Sequence, residues 1–153
     1  MTPEEKLAEM GLSLSDPMVP VANYVRFKRV GDLAYLSGEG PRRPDGSHIT
    51  GKVGATVTAK EAYEHAKITG LGLLASAKAA AGGDLGKVEF LKLLGMVNAT
   101  PDFEDHPFVI NGCSDLLVAV LGDRGRHARS AVGMGSLPKQ ITVEIEAIIR
   151  IHP

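Results

Sequence analysis

The sequence predicts an α+β fold, a mixed β-sheet with two long helices packed on one of its faces. Three observations predict it. Two stretches of helical period, one opened by Thr58 and one by Pro107, are each long and each stopped by glycine. The segments around them alternate or run continuously apolar, as strands do. Strands and helices also follow one another in an order whose simplest layered solution places both helices on the same side of the sheet.

The elements follow in order. Thr2-Pro3-Glu4-Glu5 opens a short helix: Thr2 caps, Pro3 suits the first helical position and Glu5 completes a capping box, with Gly11 as a left-handed stop. Residues 12–22 hold two prolines and read as an irregular lead-in. Residues 1–19 are therefore set apart as an N-terminal appendage to a domain over 20–153. Residues 24–30 alternate, Gly31-Asp32 supplies a turn, and 33–38 follow as the second arm of a β-hairpin. Three glycines and two prolines make 38–47 a loop, with a short extended piece around 48–53. Thr58 and Glu61 form a second capping box. Ala62, Ala66, Gly70, Leu73 and Ala77 then recur at helical spacing until Gly82-Gly83, and so many small residues imply close packing. Residues 88–97 are a continuous apolar strand. The helix after Pro107 carries a stripe of Val109, Cys113, Leu116, Leu117 and Val120, ended by Gly122. A polar loop over 123–128 leads to a strand near 130–134, and the Leu137-Pro138-Lys139 turn precedes a last strand over 141–151.

In that last strand Ile141, Val143, Ile145, Ile149 and Ile151 share one face. Thr142, Glu144, Glu146 and Arg150 share the other, with Ile148 among them. If the helices cover the apolar face, the opposite face is expected to carry Phe27, Leu93 or similar bulk. A half-apolar second face on a small sheet calls for a partner, so oligomerisation is expected.

Composition narrows the function classes. A chain of 153 residues suits one domain. With 17 Lys+Arg against 18 Asp+Glu, the formal charge of -1 argues against a dedicated nucleic-acid or membrane-surface binder. One cysteine cannot make an internal disulfide. The acidic N-terminus lacks the pattern of a signal peptide, and no stretch approaches the ~18 apolar residues of a membrane span. The expected location is cytoplasmic.

The chemistry-bearing residues are few. The five histidines show no metal-ligand spacing. Asp102, Glu104, Asp105 and His106 precede a helix, where carboxylates favour the N-terminus. Cys113 lies on an apolar stripe and reads as core. Residues 82–86 lack the ending of a phosphate loop. Asn98-Ala99-Thr100 fits a glycosylation pattern without the secretory context for it. Arg124, Arg126, His127 and Arg129 form the densest basic cluster. Arg124 and Arg126 read as a solvated loop, whereas Arg129 stands at the mouth of a strand, where a guanidinium offers a two-pronged match to a carboxylate. Glu144 lies in the next strand. If the two strands pair around the intervening turn, Arg129 and Glu144 come within several residues of each other, an arrangement that also suits an ordinary salt bridge.

Ala128-Arg129-Ser130-Ala131-Val132, Leu137-Pro138-Lys139 and Val143-Glu144-Ile145-Glu146-Ala147-Ile148 together resemble the C-terminal signature of the Rid family, also called the YjgF or L-PSP type. Upstream, Asn23-Tyr24-Val25 and Leu36-Ser37-Gly38 with Pro41 resemble its tyrosine segment and second-strand motif, so the resemblance spans about residues 20–151. It implies a chorismate-mutase-like fold, a homotrimer and ligand sites between subunits. It also implies hydrolytic deamination of reactive 2-imino and 2-enamino acids to 2-oxo acids and ammonia, without metal or cofactor. Arg129 matches the residue that grips the substrate carboxylate, and Glu144 the glutamate associated with the attacking water. Tyr24, Ser37, Gly38, Asn111 and Ala131 match the cleft lining. Ala131 replaces a cysteine common in the family, and Glu39-Gly40 departs from its usual second-strand motif. The competing expectations are a non-catalytic binder of small 2-oxo acids and, less well supported by the scarce aromatics, an endoribonuclease or translation inhibitor.

Overall fold

A computed structural model describes residues 1–16, 19, 20 and 22–153. The lead-in expected over 12–22 lies partly on residues 17, 18 and 21, outside the described residues. Strands β1 (Phe27–Val30) and β2 (Leu33–Glu39) form the expected hairpin, with Val30 paired to Leu33 across a two-residue turn. Gly31 adopts φ +63° in that turn, a left-handed conformation that glycine takes without steric cost. Strands β3 (Val88–Asn98), β4 (Ala128–Met134) and β5 (Val143–Ile151) complete a sheet of order β1-β2-β5-β3-β4. Only the β3–β4 pair is parallel, so the sheet is mixed as expected.

Helices α2 (Ala59–Ala80) and α3 (His106–Leu121) pack against each other and against one face of this sheet. Both capping boxes form: Thr58 accepts from the Glu61 amide at 3.1 Å, and Thr2 from the Glu5 amide at 3.2 Å. Ala62, Ala66, Gly70, Leu73 and Ala77 are all buried, and so is the Val109–Val120 stripe of α3. Leu73, Leu74, Ile110 and Leu117 meet Phe90, Leu93, Ile145 and Ile149 of the sheet in one core. The short α1 (Pro3–Glu9) is part of the same body. Leu7 is buried in the main core, and Glu4 pairs with Lys78 of α2 at 3.0 Å.

Several expectations need correction. Strands β4 and β5 are not hydrogen-bonded neighbours, because β3 lies between them. The piece around 48–53 makes isolated bridges, His48 to Arg42 and Thr50 to Ile141, and adds no strand to the sheet. Phe27 and Leu93 do not face away from the helices. Phe27 pairs with buried Leu36, and a register shift between Phe90 and Lys92 turns both Phe90 and Leu93 into the helix-side core. Ile141 packs with Met96 and Leu137 in a second small cluster. The open face is nonetheless half apolar. It exposes Val30 at 64%, Tyr35 at 50% and Val132 at 38%, with Ile148 beside them.

Candidate functional site

The expected site residues fall into two groups. The first is a cleft of about 300 Å³ at the end of β2, lined by Tyr24, Ser37, Gly38, Glu144, Arg42 and Lys139. A register shift between Leu36 and Glu39 distorts the β2–β5 pairing there, a common device for re-aiming side chains beside sites. Gly38 faces Glu144 so closely that a Cβ on it would lie 3.2 Å from the carboxyl carbon. Any larger residue would crowd that carboxylate. The Ser37 hydroxyl donates to the Val25 carbonyl at 2.6 Å and ties the segment carrying Tyr24 to β2.

Glu144 is half-buried. Burial, then the charges of Glu146 and Glu39, raise its pKa above the usual carboxylate range. A carboxylate so placed holds or releases a proton more readily near neutral pH than a solvated one. Behind it, Arg26 Nη2 pairs with Glu39 Oε1 at 2.6 Å and donates to the Ser76 hydroxyl of α2. Burial raises the Glu39 pKa despite the opposing Arg26 charge.

The second group lies across the sheet. Arg129 pairs with Leu93, which pairs in turn with Ala147, so its side chain leaves on the helix side. Glu144 pairs with Met96, three residues along β3 from Leu93, and therefore points to the open face. Within one chain, then, the sheet separates the two residues, and the expected cross-ladder proximity of Arg129 and Glu144 does not occur. Arg129 Nη1 donates to Ser114 Oγ at 3.0 Å and Nη2 to the Pro107 carbonyl at 3.1 Å. Three of its five N–H donors are left for other partners. Pro107, Asn111 and Ser114 occupy one stripe of α3 at helical spacing, which places Asn111 along the same face as the two groups that hold the guanidinium. Ala131 is two residues on from Arg129, on the same side of β4, and packs against the core edge.

Sequence reasoning missed the support of Arg129. His127 Nδ1 lies 2.7 Å from the Gly125 carbonyl and donates to it, leaving Nε2 to accept from the Ser114 hydroxyl at 2.9 Å. Burial first, and then the Arg129 charge, depress the His127 pKa, against the raising effect of the Gly125 bond. A neutral ring suits that tautomer. The period of two linking His127, Arg129 and Ala131 was the available signal. Of the other basic residues, Arg124 donates to the Gly86 carbonyl and Arg126 makes an exposed pair with Asp123. Cys113 is fully buried and its thiol pKa is pushed up to about 12, so it reads as core. Asp105 occupies the N-cap of α3 without a side-chain capping bond. Asn98 is completely buried, donating to the Ile141 carbonyl at 3.2 Å and accepting from Lys52 at 2.9 Å, so it is a structural hub. Among the described residues no cluster of His, Cys, Asp and Glu suits a metal ion, and no helix is long and apolar enough to cross a membrane.

The chain and its fold match known proteins. Residues 4–144 match the family model described as "YjgF/chorismate mutase-like, putative endoribonuclease". Protein TCP17 of Trypanosoma cruzi is 36% identical over 148 residues, covering 95% of this chain and 92% of its own. The crystal structure of Atu1372 from Agrobacterium tumefaciens, a protein described as of unknown function, superposes with a TM-score of 0.90 at 43% identity, covering 98% of this chain and 94% of that one. RidA from an Antarctic Psychrobacter superposes with a TM-score of 0.60 at 26% identity, covering 89% and 94%. The family match begins inside α1, so the helix set apart at the sequence level falls within the shared region. The chain belongs to the YjgF/chorismate mutase-like family, the group of the Rid and L-PSP proteins.

Proposed function

We propose that this protein is a hydrolytic deaminase that converts 2-imino and 2-enamino acids to 2-oxo acids and ammonia, at a site completed between subunits of a homotrimer. The observation that carries this reading is the division of the site. A carboxylate with a raised pKa stands in a cleft on one face, and a braced arginine with spare donors stands on the other. Arg129 of one subunit grips the substrate carboxylate while the cleft of the next presents Glu144 to the imine carbon. Water adds to C2 of the protonated imine and its proton passes to Glu144. Glu144 then gives that proton to the carbinolamine nitrogen and takes the hydroxyl proton in its place, so the C–N bond breaks as the C=O of the 2-oxo acid forms, and the departing ammonia carries this last proton away as ammonium. The imine is already electrophilic, so positioning and proton transfer suffice, and no cofactor is required.

The RidA name of the Psychrobacter neighbour supports this reading, while the family model's description names an endoribonuclease. Turnover of freshly generated 2-iminopropanoate decides between them. The wild type is expected to speed its loss, and Arg129→Ala to slow that by about 100-fold or more. Ribonuclease activity that survives Arg129→Ala, with no effect on the imine, would favour the other description. Binding of 2-oxo acids without imine turnover would mark a non-catalytic binder.

A further inference from the structure

The Glu144 cleft holds more cationic charge than a monocarboxylate needs. Arg26 is matched by Glu39. Arg42 and Lys139 also line the cleft, and among the described residues neither makes an ion pair with a carboxylate. Arg42 is held in place by donating Nη1 to the Gly46 carbonyl at 3.1 Å. Lys139 is placed by its backbone. Lys139 and Gln140 both adopt left-handed conformations, φ 56° and 57°, which cost free energy in non-glycine residues and need support from their surroundings. That support is the buried Asn98, which donates to the Gln140 side chain at 3.4 Å and to the Ile141 carbonyl at 3.2 Å. His48 stands in the same cleft, its pKa depressed by burial and then by the charges of Arg42 and Lys139, so both cations act at one place.

We propose that Arg42 and Lys139 form a subsite for a second, distal carboxylate, so that this cleft takes 2-imino dicarboxylic acids in preference to short 2-imino monocarboxylic acids. The inference rests on the deaminase reading, in which Arg129 of a neighbouring subunit takes the carboxylate next to the imine. With Glu39 already matched by Arg26, the two further positive groups lining the cleft outnumber its remaining carboxylate, Glu144, and give a dianion an attraction that a chain-length-matched monoanion lacks. The cleft volume lies at the lower end of small-molecule sites, which suits a compact diacid.

The test compares calorimetric binding of 2-oxoglutarate and 2-oxopentanoate, products of equal chain length that differ by one carboxylate. Wild type is expected to bind 2-oxoglutarate about 10-fold or more tightly, and the Arg42→Gln/Lys139→Gln double variant to bring the ratio near one. Thermal melts confirm that the variant is folded. Equal affinities in the wild type, binding of neither acid, or a ratio that survives in the variant would overturn the subsite. Loss of both acids together in the variant would also overturn it, since the cations would then hold the α-carboxylate. Imine turnover is measured alongside. A diacid preference without turnover sinks the deaminase reading alone, and turnover without the preference sinks the subsite alone.

Discussion

Glu144 carries a stability cost at the position where the proposed chemistry needs a proton carrier. Its pKa is raised in the folded protein by burial and by Glu146 and Glu39, so its ionised form costs folding free energy above that pKa. Below the ordinary glutamate value of 4.5 the acid is protonated whether folded or not, and the cost disappears. Glu144→Gln is therefore expected to raise Tm by roughly 1–3 °C at pH 7–8, with the gain fading as pH falls toward 4.5. The same variant should lose imine turnover. Melting curves across that pH range check the sign, and a lower Tm at neutral pH would contradict it. Arg26 works in the opposite sense, because it keeps Glu39 from being a lone buried charge. Arg26 and Glu39 are only 12% and 13% exposed. Arg26→Met should cost about 3–5 kcal/mol in denaturant unfolding at pH 7, and less as acid protonates Glu39. Motif positions made Glu144, Ser37 and Tyr24 legible in the sequence. Arg26, Glu39 and Ser76 were not, since the three stand 13 and 50 residues apart and no local period links them.

Helices α2 and α3 touch through backbone. A Cβ on Gly112 would lie 1.9 Å from the Tyr63 carbonyl oxygen, whereas one on Gly95 would meet only the Ile110 side chain, at 2.6 Å. The difference is one of compliance. A side chain can change rotamer, but Tyr63 O belongs to the backbone of α2 and moves only if the helix does. Gly112→Ala is expected to destabilise the protein by about 3 kcal/mol or more, and Gly95→Ala by less, as read from denaturant midpoints at constant slope. Equal costs would mean that the helices can slide apart freely. Most elements could be read from sequence because their signals are local, as with the Thr58–Glu61 box, the Gly31-Asp32 turn and the α3 stripe. Strand order could not. The short link from β4 to β5 invites direct pairing, yet β3 fills that place through contacts distant in sequence. The shift between Phe90 and Lys92 is likewise invisible to a strict period of two, so the side that Leu93 takes does not follow from the sequence pattern.

At the scale of the whole molecule, the sheet that carries Arg129 and Glu144 also keeps them apart, on the helix side and the open side. No side-chain rotation brings one through a packed sheet to the other, so a site that uses both must draw them from different copies. The exposed Val30, Tyr35 and Val132 give the open face a reason to be covered by such a copy. In the proposed homotrimer the contact would be heterologous, the helix-side edge of one chain meeting the open-face cleft of the next, and it would close as a ring. This arrangement has a consequence that a self-contained site cannot reproduce. On the proposed arrangement, Arg129→Ala and Glu144→Gln subunits should each be inactive alone, but a ring containing both would have one junction where an intact arginine faces an intact glutamate. Random mixing of equal amounts should restore up to roughly a quarter of wild-type imine turnover, with native mass measurement confirming mixed rings. Mixed rings that stay inactive, or full activity in a monomer, would show that the two residues do not act together across a subunit boundary.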